Sequence, residues 1–247
     1  MARTSAQKLE EARERADAIA ELPWEQVLEH LEYEWQQGEH LTAIGRNGSG
    51  KTTALIQVLD RRHYVFALLT KRRDELFGQF QQRGYEMIGD VDEVPDPQLK
   101  AKVALHIPPG GLGREETEKQ ADQIREALHY VWDAGGWTLY IDEIAQLSDL
   151  SGLSTELRSL WKEARSSRVS LVAGTQRPSR IPLEAYSQPR YLFFWRTSDE
   201  QQLKRLSEMN TSDPEVVRQA IVRLKTHEIL VVDAYDESFA KTTPPPL

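Results

Sequence analysis

The chain has no cysteine among its 247 residues, which excludes disulfides, thiolate metal sites and a cysteine nucleophile. Its six histidines, at positions 30, 40, 63, 106, 129 and 227, do not recur at ligand spacing, so catalytic zinc is not expected. No apolar run approaches the roughly 20 residues that cross a bilayer, and the first residues lack the apolar core of a signal peptide. A cytoplasmic protein without a transmembrane segment is expected. Basic residues are in deficit as well: 31 Lys and Arg stand against 39 Asp and Glu, a net charge of −8. That excludes a surface basic all over, and any contact with nucleic acid must use a local patch. No stretch reads as a flexible interdomain linker, and the length suits one large α/β core with short appendages.

What the chain does contain is organised around Gly45-Arg-Asn-Gly-Ser-Gly-Lys-Thr52, which fits the phosphate-binding pattern G-x-x-x-x-G-K-[ST] at every fixed position. His40 to Ile44 before it reads as a buried strand and Thr53 to Leu59 after it as a helix, the context the pattern needs. Gly45, Gly48 and Gly50 let the backbone curl so that N–H groups from Asn47 to Thr52, Ser49 among them, line an anion-sized hollow at a helix N-terminus. The nucleotide-binding set is therefore Gly45, Asn47, Gly48, Ser49, Gly50, Lys51, Thr52 and Thr53. Lys51 is placed to reach the β- and γ-phosphates of ATP, and the Thr52 hydroxyl to hold Mg²⁺.

Trp137 to Ile141 is an apolar strand ending in Asp142-Glu143, the Walker B arrangement. Asp142 is expected to bind Mg²⁺ and Glu143 to polarise an attacking water. Further strands are expected at Tyr64 to Leu69, Val103 to Ile107, Val169 to Ala173, Arg190 to Trp195 and His227 to Asp233. Helices are expected over 3–21, from Trp24 towards Gly38, from Asp74 to about Arg83, and over 115–134, 155–167, 199–209 and 215–224. The strand at Val169 leads into Gly174-Thr-Gln-Arg-Pro-Ser179. If it inserts between the two Walker strands, Gln176 meets the γ-phosphate or the lytic water; read alone, the stretch is an ordinary turn. The basic triplet Lys71, Arg72, Arg73 sits where a parallel strand delivers its loop to the ligand edge of the sheet, or simply forms a solvated helix start.

The sequence resembles the FtsK/HerA group of P-loop ATPases that move DNA. The resemblance runs without a gap through Ala164-Arg-Ser-Ser-Arg-Val-Ser-Leu-Val-Ala-Gly-Thr-Gln-Arg-Pro-Ser179. With Gly45 to Thr52, Thr70-Lys71 with Asp74, and Ile141-Asp-Glu143 in order, it covers about residues 38 to 235. It implies an α/β fold, a P-loop NTPase of the ASCE, RecA-like kind, with a mostly parallel sheet sandwiched in three layers. It also implies that Arg165 acts as an arginine finger in the neighbouring subunit's site; Arg168 is the runner-up and stands where the family usually has Gly. Residues 1–37 then form an N-terminal helical arm, 38–235 the ATPase core, and 236–247 a flexible, proline-rich tail, disordered or strap-like over Lys241 to Leu247. With no membrane anchor, winged-helix tail or barrel-like domain in view, the group's viral and phage genome-packaging ATPases are the nearest match. The expected function is ATP-driven translocation of double-stranded DNA by a hexameric or pentameric ring, with a portal or membrane-vertex partner. Lys71, Arg72, Arg73, Arg177 and Arg180 are the DNA-contact candidates. The alternatives are a conjugation or secretion ATPase of the same superfamily and a nucleotide-gated assembly switch.

Overall fold

In a computed structural model the protein is described over residues 5–150, 152–205 and 213–247. Apolar residues along the strands alternate with period two, and the two halves of that alternation are buried on opposite faces of one nine-stranded sheet. Ala43, Val65, Ala67, Tyr140, Val172 and Phe193 face one core, with α2 (Trp24–Glu34), α3 (Lys51–Asp60) and α4 (Leu76–Gln82). Ile44, Phe66, Leu68, Ile141, Ala173 and Phe194 face the other. It is covered by α1 (Ser5–Asp17), α5 (Arg114–Ala134), α6 (Ile144–Asp149), α7 (Leu153–Glu163) and α10 (Pro214–Arg223). Strands buried on both sides read as apolar runs, which is why they stood out in the sequence.

Chain order gives β1 (Leu41–Ile44), β2 (Val65–Leu69), β3 (Glu86–Ile88), β4 (Lys102–His106), β5 (Thr138–Ile141), β6 (Ser170–Thr175), β7 (Tyr191–Trp195), β8 (Ile229–Asp233) and β9 (Ser238–Thr242). Across the sheet the order is β3-β4-β2-β5-β6-β1-β7-β8-β9, parallel from β3 to β7 and antiparallel for the last two. The expected three-layer α/β fold with a mostly parallel sheet is the one observed. β6 does insert between the Walker B strand β5 and the phosphate-loop strand β1, with Ile141 beside Ala173 and Ile44 beside Thr175. Short helices α8 (Glu184–Ser187) and α9 (Glu200–Arg205) complete the chain; the expected helix to Met209 runs past Arg205 into residues outside the described ones.

Two expectations are corrected. The helix expected over 155–167 stops at Glu163, because Arg168 takes a left-handed backbone (φ 55°) and the Val169 N–H closes back on the Ala164 carbonyl at 2.9 Å. A glycine would enter that conformation without strain. The tail is not flexible throughout: Ser238–Thr242 pairs with β8 after a hairpin in which Asp233 Oδ1 accepts from the N–H groups of Tyr235 and Asp236. In the N-terminal helical arm Trp24, Leu28, Leu31 and Trp35, which recur at helical spacing, are buried together with Val27.

Candidate active site

β1 ends in a sharp turn because Gly45 lies where a Cβ would sit 2.9 Å from Trp195 Cβ. Gly48 and Gly50 then take φ of 71° and 96°, and Gly50 caps α3 with no side-chain partner. The first intrahelical bond runs from Ala54 N–H to the Gly50 carbonyl (3.0 Å), which leaves the N–H groups of Lys51, Thr52 and Thr53 for an anion. The hollow is narrower than the expected run from Asn47. Gly48 N–H turns to Asn47 Oδ1 (3.1 Å) and Ser49 N–H to the Arg46 carbonyl (3.3 Å). The Ser49 hydroxyl is buried without a partner.

Lys51 is 6% exposed, and its Nζ reaches the Arg46 carbonyl at 3.0 Å. Burial lowers its pKa, partly opposed by the carboxylates of Glu143 and Asp142. A desolvated ammonium held in a glycine loop is suited to phosphate oxygens.

The parallel strands bring the two Walker segments together. Thr52 Oγ1 donates to Asp142 Oδ1 at 2.9 Å, and Tyr140 donates to the same oxygen at 3.0 Å. Asp142 Oδ2 is taken by the Lys71 ammonium. Burial alone raises the Asp142 pKa, but Lys71, Thr52 and Tyr140 outweigh it and hold the carboxyl below its ordinary value. For Lys71 burial also acts against the charge, and Asp142, with Asp74 and Glu143, more than offsets it. Lys71 thus belongs to this site, whereas Arg72 and Arg73 are exposed. Thr52 and Asp142 fit Mg²⁺, an oxygen-seeking ion that shares its shell with waters and phosphates; among the described residues no cluster of three His, Cys, Asp or Glu forms a cation site by itself.

Glu143 is 9% exposed and pinned at both oxygens. Thr175 Oγ1 donates to Oε1 and the Gln176 N–H to Oε2, each at 2.9 Å. Gln176 lines the same cleft as Lys51, Thr52 and Asp142. Arg165 and Arg168 lie in the turn before β6, at the opposite end of that strand from Thr175, so neither enters this chain's own phosphate loop. Both are exposed, as is Arg177, while Arg180 pairs with Asp149 at 3.0 Å.

Sequence reasoning missed Tyr140, Thr175 and His227. Tyr140 lies two residues before Asp142, a position that alternation could have nominated, and Thr175 immediately precedes Gln176. His227, whose Nδ1 lies 3.2 Å from the Ser49 carbonyl across 178 residues of chain, carries no local signal.

Against solved structures, the genome packaging NTPase B204 of Sulfolobus turreted icosahedral virus 2, in complex with AMPPCP, aligns at TM-score 0.63. The identity is 16%, covering 85% of this chain and 98% of that one. VirB4 of Thermoanaerobacter pseudethanolicus aligns at 0.62 with 12% identity, over 84% and 89%. The chain has the fold of these P-loop ATPases. The resemblance to the FtsK/HerA group therefore holds at the level of fold. The cytoplasmic domain of the Type VII secretion ATPase EccC of Thermomonospora curvata also aligns, at 0.55 and 13% identity, over 86% of this chain and 26% of that one. No protein-family model matches the chain, and no curated protein does. No helix among the described residues is long and apolar enough to cross a membrane.

Proposed function

We propose that the protein is a Mg²⁺-dependent ATPase that drives double-stranded DNA through a homo-oligomeric ring, hexameric or pentameric, in genome packaging. One observation carries the hydrolytic reading: the Thr52 hydroxyl meets Asp142 at 2.9 Å while Glu143 stands one residue on, fixed at both oxygens. Lys51 and the free N–H groups of α3 bind the β- and γ-phosphates. Mg²⁺, when bound through Thr52 and Asp142, would neutralise charge on the phosphate oxygens. Glu143 accepts a proton from the attacking water, its orientation held by Thr175 and the Gln176 backbone. Gln176 reports the γ-phosphate state to the chain that follows, and Arg165, or else Arg168, completes the neighbouring subunit's site.

The DNA step draws support from the packaging ATPase neighbours and from the exposed Arg72, Arg73 and Arg177. A portal or membrane-vertex partner, and a location in host cytoplasm or at a virion vertex, belong to the same reading. The likeness to a secretion ATPase favours one second reading, an export ATPase whose turnover ignores DNA. Paired variants test the hydrolytic core. Glu143→Gln should bind ATP and cut turnover by about 10²–10⁴-fold, whereas Lys51→Ala should lose binding. Normal turnover in the Glu143→Gln protein removes Glu143 from the mechanism.

A further inference from the structure

The phosphate loop opens into a cleft of about 870 Å³, one wall of which is formed by Thr243 to Leu247. The placement of that wall is set by the sheet. Thr242 pairs with Ile229, and Ile229 pairs with Trp195, the residue packed behind Gly45. The chain therefore leaves β9 at the same sheet edge as the phosphate loop. A second tie follows: Gln57 Nε2 donates to the Pro245 carbonyl at 2.9 Å. Gln57 Oε1 in turn accepts from the indole N–H of buried Trp24 at 2.7 Å.

The cleft has two chemically unlike sides. The segment between β2 and α4 brings Lys71, Arg73, Asp74 and Glu75, a charged wall beside Asp142. The strap from Thr243 to Leu247, which lines the same cleft, carries no charged side chain. Its three prolines have fixed φ and no N–H, so the segment is stiff and loses little freedom when it is covered. A triphosphate anchored at Lys51 and the α3 N-terminus must extend its nucleoside along this cleft, and the uncharged proline face suits a flat nucleobase while the charged wall suits phosphate and metal.

We infer that residues 243–246 are the platform for the nucleobase of the bound nucleoside triphosphate, with Gln57 holding the platform in place. This rests on the proposed nucleotide site. The test compares the full chain with one ending at Thr242, titrated by calorimetry with AMPPNP and with inorganic tripolyphosphate, which has the phosphates but no base. Truncation should weaken AMPPNP binding by at least about tenfold, equivalent to about 1.4 kcal/mol, and leave tripolyphosphate within about twofold. Gln57→Ala in the full chain, which keeps β9 and the tail sequence, should weaken AMPPNP alone in the same direction. Equal loss for both ligands, or loss for neither, overturns the platform. Failure of the full chain to bind either ligand is a different result: it defeats the nucleotide site, and the platform with it.

Discussion

Gly174 tests how tightly the catalytic geometry depends on the sheet. It lies on β6 beside the Walker B strand, and a Cβ built there would sit 2.4 Å from the Asp142 carbonyl oxygen and 3.6 Å from Leu55 Cδ1. Relief to 3.0 Å requires a backbone shift of about 0.6 Å, because the opposing atom is main chain and has no rotamer to change. That shift is applied to Asp142, which holds Thr52 and Lys71, next to Glu143, the proposed base. Gly174→Ala should therefore lower kcat by about 100-fold, the scale of a 1 Å misplacement, and lower stability by about 1–3 kcal/mol through overpacking. AMPPNP affinity should change little, since the phosphate loop is on β1. Steady-state hydrolysis, calorimetric titration and urea unfolding read the three effects. Gly78→Ala is the control, with open space at its Cβ on the exposed side of α4. A Gly174→Ala protein that hydrolyses ATP at the wild-type rate with wild-type stability refutes the packing argument.

Lys71→Met leaves Asp142 without its cation and should cost about 1 kcal/mol, discounted because Lys71 is 40% exposed; Mg²⁺ with AMPPNP should restore the melting temperature, and no recovery would mean that Asp142 does not take the metal. His40 is buried, its pKa pushed down to about 4 by burial and by Arg165, against a hydrogen bond with the Trp161 backbone. The unfolded chain therefore binds the extra proton first, and stability should fall by about 3 kcal/mol as pH drops from about 6.5 to 4. In urea unfolding across pH, His40→Phe should lack this component, and an unchanged pH slope would contradict the assignment. Arg165→Ala and Lys51→Ala should each be inactive alone and regain hydrolysis when mixed, because a Lys51→Ala subunit still offers its Arg165 to the intact phosphate loop of an Arg165→Ala neighbour; absence of recovery argues against a finger acting between subunits.

The strand-loop-helix at Gly45 to Thr52 was legible because every part of it is local in sequence. Doubly buried strands such as Val65–Leu69 were legible because burial on both faces leaves an apolar run. Glu86–Ile88 and Ser238–Thr242 were not: they are edge strands with polar or half-exposed side chains, and their pairing depends on β4 and β8 rather than on their own composition. The same limit applies in the site. The place of Asp142 and Glu143 at the phosphate-loop end of the sheet could be read from their position after an apolar strand, but the Lys71 to Asp142 pair arises only because β2 lies beside β5. The strap over 243–247 depends on a hairpin whose turn is set by the Asp233 carboxylate, and nothing in Pro-Pro-Pro itself announces what it faces.

The most direct measurement is steady-state ATP hydrolysis by the purified full chain, with and without long duplex DNA, across a range of salt. A DNA motor predicts strong stimulation by DNA that fades as salt rises, because phosphate contacts release counterions. Hydrolysis at the same rate with and without DNA at every salt concentration would contradict the motor and leave an export ATPase or a nucleotide-gated switch.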